Sequence, residues 1–255
     1  NNGTVDDGTT AADLTLAALV DAIIAAGGPE YVAVDIAPEN NTQGGAPGGN
    51  IRNAFLYNPA RVSLLELQDL NATVLASIGV SAPDAFEGSR IPLLARFDFQ
   101  GEDLTIINNH FSSRFGSTPI FGGPQPFVQA GEAERGAQAM ANNEVVQSIL
   151  DDDPTAAVMV VGDLNTFQFT DELTEVMTAD RALFPLLDNL IPSDADDKYT
   201  FIFDGNSQML DHMFISSRLT RSQPKMDIVH VNVDFARVDS TVGSDHEPLL
   251  ARFKL

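Results

Sequence analysis

Apolar residues recur at helical spacing in two long stretches of the chain and alternate with polar ones in several shorter ones. Residues 12–26, "ADLTLAALVDAIIAA", carry the helical spacing and run into Gly27-Gly28, a natural C-terminal stop. "EYVAVDIA" (30–37) alternates like a strand, and the Gly-, Asn- and Pro-rich stretch 38–50 reads as a loop. "NAFLYN" (53–58) and "ARVSLLELQDL" (60–70) flank Pro59 and are expected to form a strand pair. "IPLLARFDF" (91–99) and "EDLTIINNHF" (102–111) meet at Gln100-Gly101, a hairpin signal. "GEAERGAQAMANNEVVQSIL" (131–150) reads as a helix that 151–154 stops. A strand over 156–162, a short helix near 171–178, and strands over 199–203, 209–216, 226–235 and 247–254 complete the pattern.

Strands thus arrive both as adjacent hairpins and separated by helices. That points to mixed sheets in an α/β sandwich, not to a purely parallel doubly wound sheet. With no internal repeat and no low-complexity linker, residues 1–255 are expected to form a single domain. Residues 113–130, rich in Gly, Pro, Ser and Phe, have the length of a functional loop. Its Phe115, Phe121 and Phe127 either stack on unpaired bases or anchor the loop to the core.

Charge narrows the function. Asp and Glu number 36 against 14 Lys and Arg, for a formal charge of −22, and no basic residue precedes Arg52. Such a surface repels nucleic acid and anionic lipid at long range, which excludes broad non-specific coating of DNA. It suits a secreted protein working in salt, where screening shortens the repulsion. The absence of cysteine excludes disulfides, thiolate nucleophiles and Cys-ligated zinc. No apolar run approaches the roughly 20 residues of a membrane span. The chain opens on Asn1-Asn2-Gly3 with neither start methionine nor signal peptide, so a processed or truncated product is expected.

Polar residues gather where strands end. His110 closes "LTIINNHF", His212 follows Asp211 in "MLDHMFIS", and His246 follows Asp245 in "GSDHEPLLARF". The strand in "VVGDLNTF" finishes on Asp163 and Asn165, two residues apart and so expected to share a face. His230, inside "MDIVHVNVDF" with no acidic neighbour adjacent, reads as structural. Taken singly, each residue has an ordinary structural reading, and Gly-Asp-x-Asn is also good turn chemistry. Together they are harder to dismiss, because ionisable groups are costly at the ends of buried apolar strands. Carboxylates, amides and neutral imidazoles without thiolate suit a hard divalent ion, Mg2+ or Mn2+. A Ser–His–Asp hydrolase competes for the same residue types, but no Gly-x-Ser-x-Gly elbow occurs, nor does a phosphate-binding Gly-x-x-x-x-Gly-Lys-Ser/Thr loop.

"TIINNHF", "VVGDLNTF", "GNSQMLDHMFIS" and "GSDHEPLLARF", in that order and spacing, resemble the endonuclease/exonuclease/phosphatase superfamily, the DNase I-like fold. Within it, "IRNAFLYNPARV", "NNHFSSR" and "DGNSQMLDH" are most similar to bacterial secreted nuclease-like proteins. The resemblance spans essentially the whole chain. It implies a sandwich of two mixed sheets flanked by helices, and metal-dependent hydrolysis of a phosphodiester or phosphomonoester. Mg2+ or Mn2+ is the implied cofactor, with Ca2+ a further candidate. Asp163 would orient or deprotonate the attacking water, and Asn165 would hold the phosphate. His110 and His246 would contact the phosphate from either side, Asp211 would fix the His246 tautomer, and Asp245 would ligate the metal along with Asp163. Arg52, Asn108, Arg114 and Asn206 are candidates for substrate contact.

In the family, a strand bearing an asparagine and one ending in a metal-ligating glutamate come first. The resemblance puts both upstream of Asn1, so the first sheet is expected to lack strands that the rest of the same protein would supply. The competing expectations are a phosphomonoesterase or lipid phosphodiesterase of the same fold, and a non-catalytic assembly domain that keeps the fold.

Overall fold

The structure is a computed structural model and describes residues 1–3, 5–119, 121–191, 197–234 and 243–255. The chain divides into two compact units, Asn1–His110 and Phe111–Leu255.

The first unit opens with helix α1 (Asp13–Ala25), which Gly27 ends in a left-handed conformation at φ 86°. Leu14, Leu19 and Ile24 on this helix are exposed. Strands β1 (Val32–Asp35) and β2 (Ala54–Tyr57) pair antiparallel, with Asp35 opposite Ala54. Strand β3 (Ser63–Asp69) therefore does not pair with β2, against the expectation from the sequence. Between them the N–H groups of Arg61 and Val62 both turn back onto the Asn58 carbonyl, and that helical-type turn sends β3 away. Helix α2 (Ala72–Ile78), which periodicity missed because it is only two turns long, is capped by Asn71, whose Oδ1 accepts the Val74 N–H at 3.1 Å.

Strand β3 pairs instead with β4 (Leu93–Phe99), and β4 with β5 (Glu102–His110), all antiparallel. The β4–β5 turn is the expected one: Gln100 and Gly101 take φ 58° and 91°, the left-handed pair of a tight hairpin. Alternation sorts the faces, so that Leu93, Ala95, Phe97, Thr105, Ile107 and Asn109 are buried while Asn108 and His110 lie on the opposite face.

In the second unit, helix α3 (Glu132–Asp152) buries Arg135, Gln138, Asn142 and Asn143 beside Ala139, Val145 and Val146. Arg135 Nη1 donates to the carbonyls of Ser112, Ser113 and Ala130, and Gln138 bonds Ser112 through both ends of its amide. The polar face of the helix thus ties together the two ends of the 113–130 loop. Gly131 is required where loop meets helix: φ is 72°, and a Cβ would lie 2.7 Å from Arg135 Nη1 and 2.8 Å from the Ser113 carbonyl.

Strand β6 (Ala157–Asp163) follows, then a single π-type turn (Glu172–Val176) where an ordinary helix was expected, then β7 (Phe184–Pro185). Strands β8 (Phe201–Phe203) and β9 (Asn206–Gln208) form a hairpin through Asp204-Gly205, and β10 (Asp211–Ile215) lies antiparallel to both β6 and β7. After the short helix α4 (Ser217–Thr220), β11 (Lys225–Ile228) pairs with β12 (Leu249–Arg252).

The strand expected over 226–235 stops at Ile228. The N–H groups of Val231, Asn232 and Val233 go to the Glu247 carboxylate at 2.8–2.9 Å and so leave the ladder; residue 235 lies outside the described residues. Val158, Val160, Leu164, Leu186, Phe214 and Ile215 form the centre of this unit's core. No helix among the described residues is long and apolar enough to cross a membrane.

Ile107 is fully buried at the centre of β5. Ile107→Ala should lower unfolding free energy by about 2–5 kcal/mol. Urea denaturation measures this, and a loss below about 1 kcal/mol would mean that β5 does not sit in a packed core.

Candidate active site

The site begins with the register of two strands. In the β6–β10 ladder Asp163 lies directly opposite Asp211, Gly162 opposite His212 and Val160 opposite Phe214. Buried Val158, Val160, Phe214 and Ile215 fix that register, since a one-residue slip would expose them. The two carboxylates therefore meet at one end of the ladder, each side chain only 17% exposed.

Asn165 reaches the same spot by a turn and not by strand alternation. Strand β6 ends at Asp163, Leu164 N–H goes to the Leu210 carbonyl, and Asn165 adopts φ 49°. From there its backbone N–H donates to Asp163 Oδ1 at 2.8 Å and its Nδ2 to Asp163 Oδ2 at 3.1 Å. The turn that Gly-Asp-x-Asn favours does form, and it is what aims the carboxylate. Phe111, the residue after His110, donates its N–H to the Asp163 carbonyl at 2.9 Å, and its own carbonyl accepts from Asn165 Nδ2.

His246 joins the two acids. Its Nδ1 lies 2.6 Å from Asp211 Oδ2 and its Nε2 is 4.0 Å from Asp163 Oδ2. Burial opposes protonation of this ring, but the hydrogen bond to Asp211 and the charges of Asp211, Asp163 and Asp245 outweigh it and hold the imidazole above its ordinary value. Asp245 itself is exposed and takes part through its charge. Phe201 bridges to His246 in the backbone and sets its ring 4.7 Å from the imidazole.

Thr200 is a residue that sequence reasoning missed. Fully buried, its Oγ1 accepts the N–H of Leu210 and of Asp211, both at 3.1 Å, and its carbonyl accepts the N–H of Glu247 at 2.8 Å. One threonine thus connects the segment carrying Asp211 to the segment carrying His246. A lone Thr before a strand gives no signal in sequence.

The remaining candidates divide. His212 is buried and points away from the acids, its Nε2 donating to the Thr166 carbonyl at 3.0 Å; burial pushes its pKa down, so the neutral ring serves as a strut. Arg114 lies over the Phe167 ring at 4.2 Å and donates to Gln129, and its buried Nη1 has no hydrogen-bond partner among the described residues. Asn206 is exposed on the β8–β9 hairpin, where it donates to the carbonyls of Phe203 and Asp204. Three candidates belong to the first unit. There Arg52 pairs with Asp35 at 2.6 Å and donates to the Thr10 carbonyl, Asn108 donates to the Ala54 carbonyl at 3.0 Å, and His110 ends β5.

The two carboxylates of this site suit a hard divalent ion. Asp163, Asp211 and His246 offer ligand atoms all within 4.8 Å of one another, two of them carboxylate oxygens at strand ends.

The comparisons agree with this architecture. The Endonuclease/Exonuclease/phosphatase family profile matches residues 52–237, and the chain belongs to that family, whose named activities hydrolyse phosphate esters. Among solved structures, truncated TDP2 of Caenorhabditis elegans superposes with a TM-score of 0.60 at 16% identity, over 97% of this chain and 82% of that one. TDP2 of D. rerio complexed with single-strand DNA product gives 0.59 at 16% identity, over 95% and 81%. A mannosyl-6-phosphatase of Bacteroides thetaiotaomicron gives 0.59 at 15% identity, over 93% and 81%. These likenesses define the fold as the mixed α/β, DNase I-like one. No curated protein matches the chain in sequence.

In metal-free buffer with chelator, the His246 ring should titrate above 6.5 by NMR. A raised folded value means that its stabilisation is complete below the unfolded value and lost as pH climbs through the folded one. The melting-temperature gap between wild type and His246→Asn should therefore be wider at about pH 5.5 than at about pH 8.5. Thr200→Val strands two buried N–H groups and should cost about 1–3 kcal/mol in urea unfolding; an isostable variant would remove Thr200 from this account.

Proposed function

We propose that the chain is the catalytic part of a divalent-metal-dependent phosphodiesterase, a nuclease that works outside the cell. The observation that carries this reading is the Asp163–Asp211 opposition, with Asn165 gripping one acid and His246 the other. Asp163 and Asp211 are the groups that would hold Mg2+ or Mn2+, with Asp245 a further candidate ligand. When bound, the ion lowers the charge on the phosphoryl oxygens and on the leaving oxygen.

The chain's own residues account for the rest. Asp163, oriented by two N–H donors from Asn165, accepts a proton from the attacking water. The Asn165 amide donates its two Nδ2 hydrogens to the Phe111 carbonyl and to Asp163, so its part is to orient that carboxylate. His246, whose protonated form the Asp211 carboxylate favours, directs an N–H at the phosphate as negative charge builds there. Arg114, whose guanidinium lies over the Phe167 ring and whose Nη1 has no hydrogen-bond partner among the described residues, supplies further positive charge.

A nucleic-acid strand is favoured by exposed aromatic rings. Phe115 and Phe121 are 95% and 99% exposed, so neither anchors its loop to the core, and Phe169 is 67% exposed and stacked on Phe167. Such rings offer stacking surface to unpaired bases. The D. rerio relative, complexed with single-strand DNA product, supports the same substrate class. One observation favours a second reading, a small phosphomonoester: the charge of −22 repels polyanions, and a sugar phosphatase shares the fold. The same charge supports an extracellular setting, where salt screens it.

Supercoiled plasmid and a sugar monophosphate, each with Mg2+ or Mn2+, test both readings on this chain and on a version extended upstream. Chelator-sensitive nicking, reduced about 10²–10⁴-fold by Asp163→Asn in the extended form, is expected. Phosphate release from the sugar ester without nicking would move the second reading to the front. Silence on both substrates with no ion bound would sink catalysis altogether.

A further inference from the structure

A second group of ligand-type side chains lies apart from the Asp163–Asp211–His246 set. Both ring nitrogens of His230 are out of water, and neither has a hydrogen-bond partner among the described residues. Nδ1 stands 3.7 Å from Glu247 Oε1 and 3.8 Å from Asp234 Oδ2, and one ligand atom from each residue falls within a 4.8 Å cluster. Ring nitrogens withdrawn from water ordinarily bond through at least one of the pair, although the His230 side chain as a whole is 20% exposed. Here two carboxylate oxygens face it from beyond hydrogen-bond range.

We propose that His230, Asp234 and Glu247 form a second cation site, one that takes a divalent transition ion, zinc foremost. The spacing is that of ligands around a small ion. Two donors each about 2.1 Å from a shared centre stand roughly 3.4–4.2 Å apart, which spans both measured separations. Nitrogen beside two oxygens selects zinc, manganese or cobalt over the all-oxygen ions magnesium and calcium.

The surroundings orient all three ligands. Tyr199 donates its hydroxyl to Asp234 Oδ1 at 2.6 Å, which leaves Oδ2 turned toward His230, and the Tyr199 ring lies 4.6 Å from the imidazole. Glu247, whose side chain is fully buried, is fixed by the N–H groups of Val231, Asn232 and Val233. Outer bonds of this kind hold metal ligands in place in other proteins. The ion would act as a brace. Glu247 follows His246 in the chain, and Asn232 Nδ2 donates to the His246 carbonyl at 2.6 Å, so a filled site would fasten the segment that presents His246 to Asp211.

The test titrates zinc chloride into chelator-treated protein by calorimetry, in an Asp163→Asn/Asp211→Asn background that disables the first set. One zinc equivalent should remain. Adding His230→Ala should weaken it by more than the roughly 10–100-fold that loss of an outer partner costs. Weak binding to surface acids is common to all variants and cancels. Should His230→Ala fail to fold by circular dichroism, Asp234→Asn carries the same comparison, because Asp234 is exposed and its loss leaves the core intact. No zinc equivalent in the background protein, or one that survives loss of His230 or Asp234, overturns the proposal.

Discussion

Two carboxylates held face to face are the constraint around which the second unit is arranged. Asp163 and Asp211 occupy opposite positions of one antiparallel ladder, where like charges repel. The register that imposes this is apolar: Val158, Val160, Phe214 and Ile215 are buried only in this alignment. Packing energy thus forces the electrostatic conflict, and nearby polar groups have to relieve it. Asn165 directs two N–H donors at Asp163, and His246 brings a ring favoured as a cation to Asp211. The features that offset the repulsion are the same ones a phosphate ester would use.

Thr200 shows how few bonds hold the halves of that arrangement together. His246 comes from a segment 35 residues after Asp211 and belongs to neither strand of the ladder. Its position depends on the Glu247 N–H bond to the Thr200 carbonyl and on Thr200 Oγ1 receiving the N–H groups of Leu210 and Asp211. Buried hydroxyls that satisfy two backbone donors at once are costly to replace, since each donor left bare stays desolvated.

Much of this was legible in the sequence, for identifiable reasons. The β4–β5 hairpin could be read because Gln100-Gly101 has few alternatives to a left-handed turn, and the ends of α3 and β6 because Gly, Asp and Pro punctuate them. Asp163, Asp211 and His246 stood out as ionisable groups at the ends of apolar runs, a costly placement, with the amide of Asn165 beside the first. The β2–β3 pairing misread the chain because Pro59 suggested a hairpin, whereas the carbonyl of Asn58 collects two N–H groups and redirects the strand. The buried polar face of α3 was hidden for a different reason. Arg135, Gln138 and Asn142 recur at i, i+3 and i+7, which reads as a solvated face until the loop that they hold is seen. Nothing in the sequence marks Glu247 as the residue whose three bonds from backbone amides end a strand.

The charge of the chain then acquires a local meaning. With 36 acids against 14 bases, the long-range field repels phosphate and attracts divalent cations. At physiological ionic strength that field decays over about 8 Å, so it governs approach but not contact. Within contact range the balance reverses at a few places: the acids around His246 favour its protonated form, and Arg114 keeps a guanidinium nitrogen without a hydrogen-bond partner among the described residues beside Phe167. An acidic exterior that gathers cations, around a site where two acids and an imidazole converge, makes metal the natural mediator between this surface and any phosphate it meets. The negative charge that seems at odds with a phosphoester substrate is, on this argument, what supplies the ion needed to bind one.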